Sequence, residues 1–401
     1  MAIGPFTNPF RPGAGHMPPY LAGRQSETDE FHRLLKQDVI LENMVLTGLR
    51  GVGKTVLLDT FKPLAIEHGW WWVGADLSES TSISEERLAL RLMTDLAVVS
   101  SSVVVGTRKV SGMGFRPERR HVSRKLDFET MTEVYRQTPG LVSDKLKAVL
   151  RLCWTCMRRE QNRGVVFAYD EAQNLSDHAL KAEYPLSLML DVFQSIQKSG
   201  IPFMLILAGL PTLFAKLVEA RTFAERMFRV VFLDCLRKKD CCDAILKPVQ
   251  DIETPVVMDG MMVRRITKES GGYPYFIQFI CREIFDAMLQ AIAAGKKSGA
   301  IRLAGIIRKL DTDFFAGRWA RATDRQRELL RVIATLETCE RDFTVQEIAE
   351  KSRKMLDRPF GPSQVNQMLA ALCTIGLVYK SRHGRYSFAI PLLSRFILRQ
   401  Q

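Results

Sequence analysis

Residues 48–55 have the spacing of a phosphate-binding loop. Four residues separate Gly48 from Gly53, Gly51 is one of the four, and Lys54 and Thr55 follow directly after Gly53. Backbone N–H groups approach a crowded triphosphate only where side chains are absent, which explains the glycines. Lys54 would add a positive charge between the β- and γ-phosphates, and the Thr55 hydroxyl would bind Mg²⁺. The pattern therefore predicts a site for ATP and Mg²⁺.

The segments on either side of this loop support the same interpretation. Residues 44–46 are typical of a buried strand, and residues 56–61 open a helix whose N-terminus would face the phosphates. The alternative is a chance glycine loop between a strand and a helix. We expect the nucleotide contacts to include two further loop residues, Val52 and Val56.

Two adjacent carboxylates end a second apolar segment. Residues 164–169 are apolar apart from Tyr169, and Asp170 and Glu171 follow directly. Buried carboxylates are costly, so this placement favours a function. Asp170 would hold Mg²⁺, directly or through a bound water, and Glu171 would polarise water for in-line attack on the γ-phosphate. The alternative is a strand that ends in two solvated acids.

Strands and helices alternate through the first part of the chain. We predict strands at 44–46, 69–77, 164–170, 202–209 and 230–233, and helices at 28–36, 83–98, 139–160 and 184–198. The strand at 69–77 is a continuous apolar run, which favours burial on both faces. This alternation predicts an α/β fold, a P-loop NTPase parallel sheet with helices on both faces.

The pattern changes along the chain and suggests four parts. We predict an N-terminal extension at 1–19, an ATPase core at 20–237, a helical lid at 238–318 and a winged helix-turn-helix at 319–401. Within the core, a basic insertion at about 99–126 is expected to form a hairpin.

The predicted winged helix contains two helices and a hairpin. Thr344 and Glu347 have capping-box spacing, Ser363 is the expected N-cap of the second helix, and Gly384 lies in the hairpin turn. The candidate contacts to base edges are Gln364, Asn366 and Gln367, and the candidate phosphate contacts are Lys380, Arg382, His383 and Arg385. The alternative is a module that docks a protein or forms a dimer.

The net charge of +13 is concentrated in two segments. Residues 108–125 contain seven Lys or Arg and one acid, and residues 321–401 contain 14 basic and 8 acidic residues, a net +6 in each. Localised positive charge favours a polyanion such as double-stranded DNA, because phosphate contacts release counterions. The alternative for the first segment is a solvated loop.

Cysteine spacing and hydropathy suggest a cytoplasmic protein. Cys153 and Cys156 form a CxxC in a segment of helical period with no second such pair, so core packing is expected. No apolar run has the roughly 18–20 residues that span a bilayer, so we expect no membrane segment. The N-terminus lacks the pattern of a secretion signal.

These motifs together resemble AAA+/STAND-type ATPases, in the branch of origin-recognition-type initiators and related archaeal-type ATPases. The resemblance rests on residues 48–55, 170–171, 21–24 and 271–274. It implies that Gly23, Arg24 and Glu27 lie near the adenine. It also implies that Gly271, Gly272, Tyr273 and Pro274 begin a helix that closes the lid over the nucleotide.

The resemblance extends to the sensing of the γ-phosphate, with one departure. Ala208 and Gly209 stand where the family often has a polar sensor-1 residue, and Thr212 supplies the nearest hydroxyl in the sequence. Arg226 and Arg229 stand where related ATPases place an arginine that reaches a neighbour's γ-phosphate. The resemblance therefore implies a nucleotide-dependent homo-oligomer, with Arg226 as a catalytic residue. A solvated helix end is the alternative for both arginines.

We therefore expect an ATP-binding and ATP-hydrolysing switch that engages DNA. The alternative is a signalling or scaffold protein of the defence-type STAND class, in which ATP fixes the shape and the winged helix docks a protein. Salt-dependent binding to duplex DNA distinguishes the two. A phosphotransferase is disfavoured because the sequence shows no acceptor site.

Overall fold

The computed structural model of the protein describes residues 6–111, 119–295 and 303–400, which form two compact units. The sheet unit comprises Gln25–Thr47 and Leu57–Phe232. The helical unit comprises the described residues within Met1–Arg24, Gly48–Val56 and Leu233–Gln401. The division predicted at residues 19, 237 and 318 stays a prediction.

A five-stranded parallel sheet forms the core of the sheet unit. Its strands are β1 (Asn43–Thr47), β2 (Trp70–Asp76), β5 (Gly164–Asp170), β6 (Phe203–Gly209) and β7 (Phe228–Phe232), and they lie in the order β2-β5-β6-β1-β7. The strands β1, β5 and β6 are buried along their whole length, which explains their continuous apolar sequences. The predicted α/β fold is confirmed.

The edge strand β2 corrects one prediction. The sequence favoured burial on both faces, but Trp71 and Trp72 are half-buried and Gly74 is exposed. This strand pairs only with β5 in the sheet, so its outer edge lacks a neighbouring strand. The apolar run was therefore a poor guide to its burial.

Helices flank the sheet. They are α1 (Gln25–Leu35), α2 (Lys54–Glu67), α3 (Glu85–Ser100), α4 (Phe128–Gln137), α5 (Val142–Met157), α6 (Pro185–Lys198), α7 (Leu213–Ala220) and α8 (Ala224–Met227). Helix α4 was not predicted; Asp127 caps it by accepting a hydrogen bond from the Thr130 amide. Helix α5 is shorter than the predicted 139–160, because the chain continues after Met157 as a 3₁₀ turn.

The basic insertion forms the expected antiparallel hairpin. Its strands are β3 (Val104–Ser111) and β4 (Arg119–Lys125), with Val104 paired to Lys125 and Ser111 to Arg119. The basic residue Arg116, which contributes to the predicted charge of this segment, lies outside the described residues.

Helices dominate the next part of the helical unit. They are α9 (Lys238–Gln250), α10 (Gly260–Ser270), α11 (Pro274–Ala293), α12 (Leu303–Leu310) and α13 (Gly317–Trp319), with a π-helical turn at Asp311–Ala316. The N-terminal segment packs on α11, because Phe10 is buried against Phe285 and the Asn8 side chain donates to Asp286 Oδ1 at 2.8 Å. These contacts attach residues 8–10 to α11 within the helical unit.

The last part of the chain combines helices with a small sheet. Its elements are α14 (Asp324–Ala334), β8 (Phe343–Thr344), α15 (Val345–Met355), α16 (Pro362–Thr374), β9 (Val378–Arg382), β10 (Arg385–Phe388) and α17 (Leu393–Arg399), and its antiparallel strand order is β8-β10-β9. The capping box of Thr344 and Glu347 is confirmed. The predicted cap at Ser363 is wrong, because Gly361 is the N-cap and Pro362 is the first helical residue.

All eight cysteines carry free thiols. Cys153 and Cys156 are buried in α5, so their predicted role in core packing is confirmed, and burial raises the pKa of both thiols. Across the described ranges, no helix combines the length and the apolar composition needed to cross a bilayer.

Candidate nucleotide-binding site

Strand order brings two of the predicted motifs to one edge of the sheet. Strand β6 pairs with both β1 and β5, and all three run parallel. Their carboxyl ends therefore share an edge, where Thr47 pairs with Gly209 and Tyr169 pairs with Leu207. Asp170 ends β5 at this edge, and the glycine-rich loop leaves the sheet directly after Thr47. This is the edge at which open α/β sheets bind ligands.

The backbone conformation or close packing explains why three positions of the loop are glycine. Gly51 and Gly53 have φ values of +79° and +94°, which L-residues rarely adopt. A Cβ at Gly48 would lie 2.4 Å from the Leu233 carbonyl oxygen, whereas a Cβ at Gly53 would project into space with no atom within 4 Å. The loop backbone at Gly53 is thus open to a ligand, as a phosphate cradle requires.

Lys54 and Thr55 are the first two residues of α2. The Lys54 ammonium donates to the carbonyl oxygens of Gly48 and Leu49, at 2.8 and 3.0 Å, so the side chain lies along the loop. Thr55 is exposed, and Val52 and Val56 are buried and half-buried. The loop therefore has the arrangement of glycines, lysine and threonine from which a polyphosphate site was predicted.

Arg24 is hydrogen-bonded to the backbone of the phosphate loop. It is 7% exposed, and its guanidinium donates to the carbonyl oxygens of Val52 at 2.8 Å and Asp234 at 2.9 Å. The preceding Gly23 has φ +61°, and a Cβ there would lie 2.6 Å from the Asp240 carboxyl carbon. The resemblance assigned Arg24 to the adenine; the observed contacts tie it to the shape of the phosphate loop.

We predict that Arg24→Ala lowers the thermal midpoint of unfolding by several degrees. The substitution leaves two carbonyl groups without their buried donor, at roughly 1–3 kcal/mol each. Differential scanning fluorimetry would measure the change. Arg11→Ala is the matched control, because Arg11 is an exposed arginine of the same unit. Equal midpoints for the two variants would contradict the structural role of Arg24.

The predicted lid motif contacts the loop within the helical unit. Gly271 and Gly272 have φ values of +58° and +75°, and the Gly272 carbonyl accepts from the Leu236 amide at 2.8 Å. Pro274 begins α11, and the next amide, of Tyr275, donates to the Gly51 carbonyl at 3.2 Å. A backbone hydrogen bond thus joins the start of α11 to the phosphate loop.

The two acids at the end of β5 have different surroundings. Asp170 is 5% exposed, and its Oδ1 accepts from the Glu171 amide at 2.7 Å. Glu171 is exposed and has φ +51°, an unfavourable conformation for a residue with a side chain. Such backbone strain concentrates at functional sites, which supports a role for Glu171.

Asp59 is an acid near this pair that the sequence analysis missed. It lies on α2, four residues after Thr55. Burial raises the pKa of Asp59, the charge of Lys62 lowers it, and the carboxylates of Asp170 and Asp76 raise it. The first turns of α2 in the sheet unit therefore lie within electrostatic reach of Asp170.

Comparison with solved structures identifies the fold. ORC2 of Aeropyrum pernix in its ADP form is 14% identical, the match covers 97% of this chain and 97% of that one, and the TM-score is 0.53. This chain shares the fold of archaeal ORC-type AAA+ ATPases. The ADPNP-ADP complexes of the same ORC2 match at 15% identity, with 97% coverage of each chain and a TM-score of 0.49.

Of two further matches, one covers almost the whole chain and the other only its C-terminal part. A structure of Aeropyrum pernix ORC1 in complex with DNA matches at 14% identity, with 96% coverage of each chain and a TM-score of 0.48. A family model described as a domain of unknown function, DUF8462, matches residues 312–397. No curated protein matches the sequence.

A glutamine that the sequence analysis missed, Gln173, lies beside the end of β6, the segment considered for sensor 1. Gly209 ends β6, and a Cβ there would lie 2.6 Å from Gln173 Oε1. The hydroxyl considered from sequence belongs to Thr212, which precedes α7 and makes no side-chain capping bond. Only the spacing of Gln173, two residues after Glu171, could have drawn attention to it.

The two candidate arginines for contact with a neighbouring subunit differ. Arg226, on α8, is exposed and forms no ion pair with any residue in the described part of the chain. Arg229 pairs with Glu30 at 2.8 Å. Of the two, the structure leaves Arg226 available to another molecule.

A second cation lies near the phosphate loop and was also missed. The Arg318 guanidinium lies 4.7 Å from the centre of the Phe314 ring, which packs at 5.0 Å against Tyr275. Burial lowers the pKa of Arg318, and the charge of Arg50 in the loop lowers it further. Two arginines therefore add positive potential beside the loop.

The candidate nucleic-acid residues lie on the surface of the C-terminal region. Gln364, Asn366 and Gln367 are exposed on α16, opposite the buried residues Val365 and Leu369. On the hairpin, Lys380, Arg382 and His383 are exposed and Arg385 is half-buried; Arg382 pairs with Asp342 at 3.3 Å. Gly384, with φ +71°, forms the turn.

Proposed function

We propose that this protein binds ATP at the glycine-rich loop, hydrolyses it at the end of β5, and engages double-stranded DNA through a C-terminal winged helix. The strand order carries the first two parts of the proposal. It brings the carboxyl ends of β1, which precedes the loop, and of β5, which carries the two acids, to one edge of the sheet with β6 between them.

Binding of the triphosphate would use the loop backbone and several cations. The open backbone at Gly53 and the N-terminus of α2 would donate N–H groups to the phosphates. Lys54 would move from the loop carbonyls to the β- and γ-phosphates, and Arg50 and Arg318 would add positive charge. The lid turn at 271–274 would respond through the Tyr275 amide, which already contacts the Gly51 carbonyl.

Thr55 and Asp170 are the proposed protein ligands of Mg²⁺. Thr55 is the second residue of α2, directly after the phosphate loop, and Asp170 is the last residue of β5. When bound, Mg²⁺ would neutralise charge on the β- and γ-phosphate oxygens. In the described ranges no three His, Cys, Asp or Glu side chains are arranged to hold a metal, so the nucleotide would supply further ligands.

Hydrolysis would use Glu171 as the base. A water oxygen would attack the γ-phosphorus as its proton passes to the Glu171 carboxylate, and the bond from the γ-phosphorus to the bridging oxygen would break. ADP would leave with that oxygen, and the γ-phosphoryl group would become inorganic phosphate. Steady-state release of phosphate from ATP tests this step. A wild-type rate no higher than that of the Lys54→Ala variant would contradict it.

Loss of the γ-phosphate would then change the contacts of the lid. Contacts to the γ-phosphate supply the differential affinity that a two-state switch needs. The exposed Arg226 suits contact with nucleotide on a second copy, so we propose a nucleotide-dependent homo-oligomer.

The DNA-binding proposal rests on the C-terminal elements and their charge. Helices α14 to α16 and the β9–β10 hairpin have the succession of elements expected of a winged helix. The net charge of +6 over residues 321–401 suits a polyanion. Polar side chains on α16 would contact base edges, and Lys380 and Arg385 would contact phosphates.

We predict that the double variant Lys380→Ala, Arg385→Ala weakens binding to duplex DNA. Each phosphate contact contributes about one unit to the slope of log affinity against log salt, so the slope would fall by about two. Fluorescence anisotropy with a labelled duplex, at several salt concentrations, measures both quantities.

Lys198→Ala is the charge control for this experiment, because Lys198 is exposed at the end of α6 in the sheet unit. Its affinity and slope should equal those of the wild type. Unchanged binding by the double variant would exclude the hairpin as the contact. Absence of wild-type binding at low salt would favour the alternative, a nucleotide-dependent scaffold that docks a protein. The Arg382–Asp342 pair is the observation that favours this alternative, because it reduces the unpaired charge of the hairpin.

A further inference from the structure

Gln173 connects two parts of the sheet edge through its side-chain amide. Its Nε2 donates to the Glu171 carboxylate, and its Oε1 accepts from the Leu210 amide at 3.1 Å. Leu210 immediately follows β6, and its carbonyl accepts from the Thr47 hydroxyl at 3.0 Å. One neutral side chain thus joins the carboxylate at the end of β5 to the backbone after β6, which is itself bonded to the end of β1.

The absence of a side chain at Gly209 creates the space for this amide. A Cβ at position 209 would lie 2.6 Å from Gln173 Oε1, closer than non-bonded atoms approach, and 2.9 Å from Leu213 Cδ2. The φ of Gly209 is not in the left-handed region, so the backbone conformation does not require glycine here. The contact with Gln173 therefore explains this glycine.

The backbone of Gln173 is also fixed. Its carbonyl accepts from Lys216 Nζ at 2.7 Å, and the same ammonium donates to Ser176 Oγ at 2.5 Å. Lys216 comes from α7, the helix that follows β6. Both ends of the residue are therefore tied to the segment after β6, which limits the positions that its amide can occupy.

We propose that Gln173 is a positioning residue for hydrolysis, which orients the Glu171 carboxylate and couples it to the backbone at the end of β6. This inference rests on the proposed ATPase function and deepens it. An amide suits the role, because it donates to a carboxylate without adding charge. The coupling would run from the chain after β6, through Gln173, to the Glu171 carboxylate. The AAA+ resemblance led us to expect a polar sensor-1 residue at this end of β6.

The split between ATP affinity and turnover gives a test that a purely structural role would not pass. The contacts of Gln173 are with Glu171, Leu210 and Lys216. Removal of its amide should therefore lower kcat and leave ATP affinity unchanged, whereas a general loss of structure would lower both. Gln173→Met keeps the length of the side chain and removes only its hydrogen-bonding groups.

The experiment compares wild type, Gln173→Ala and Gln173→Met for ATP affinity and for kcat. We expect both variants to bind ATP with affinities within about threefold of wild type. Their kcat should fall by at least about tenfold, the effect seen when an outer-shell partner that orients a functional side chain is removed.

Asn174→Ala is the local control. Asn174 belongs to the same 3₁₀ turn, and its side chain donates to the Leu77 carbonyl rather than to Glu171. Its kcat should stay within about twofold of wild type. A kcat of Gln173→Ala equal to or above that of wild type would overturn the proposal, and so would a loss shared by Asn174→Ala or a wild-type kcat in Gln173→Met. If wild type itself released no phosphate, the proposed function would fail instead.

Discussion

Replacing Glu171 with Gln leaves ATP affinity within about threefold of wild type and lowers turnover by at least about 100-fold. The amide keeps the size of the carboxylate but cannot accept the proton of the attacking water. Affinity is retained because the proposed phosphate contacts lie in the loop, on Lys54 and on the helix N-terminus. Phosphate release measures turnover, and equilibrium binding of a fluorescent ATP analogue measures affinity.

Glu79→Gln is the control for this substitution, because Glu79 is an exposed glutamate of the sheet unit. It should hydrolyse ATP at the wild-type rate. Unchanged steady-state hydrolysis in Glu171→Gln would refute the assignment of the base. Loss of affinity with unchanged turnover at saturating ATP would show that the residue acts in binding, because a contact made equally in the ground state and the transition state does not affect kcat.

Replacing Lys54 with Ala abolishes the thermal stabilisation that ATP gives the wild-type chain. A ligand at 100 times its Kd stabilises the folded state by about 2.7 kcal/mol, which corresponds to a shift of several degrees. The Lys54 ammonium would form two charge-assisted hydrogen bonds, to the β- and γ-phosphates, at about 1.5–3 kcal/mol each, so their loss would weaken binding by at least about 100-fold. Differential scanning fluorimetry across a range of ATP concentrations would detect it.

Lys62→Ala provides the matched control, since Lys62 is an exposed lysine on the same helix. It should show the full ATP-dependent shift. The midpoints without ATP must also be compared, because Lys54 donates to two loop carbonyls and its removal can alter the loop itself. A full ATP shift in Lys54→Ala would overturn the proposed site.

Local sequence was enough to predict the elements that local chemistry determines. The glycine spacing at 48–53 predicted a loop between a strand and a helix, and β1 and α2 flank it. The capping box at Thr344 and the hairpin turn at Gly384 also depend on residues close in sequence. Ser363 misled the analysis because Pro362 is preferred as the first helical residue, which moves the cap to Gly361.

Contacts between distant residues could not be predicted in this way. Arg24 bonds to the Asp234 carbonyl 210 residues away, and Gln173 bonds to Leu210 37 residues away. Neither contact follows a period or a motif, since each depends on which strands become neighbours. The burial of β2 was misjudged for the same reason, because its position at the sheet edge is a property of the strand order.

The crystal structure of the wild-type chain with Mg²⁺ and the slowly hydrolysed β,γ-imido analogue of ATP tests the central claim most directly. The account predicts the triphosphate against the N–H groups of residues 51–55, with the metal bound to the Thr55 hydroxyl and, directly or through one water, to Asp170. Nucleotide bound elsewhere, or a metal in contact with neither residue, would contradict it.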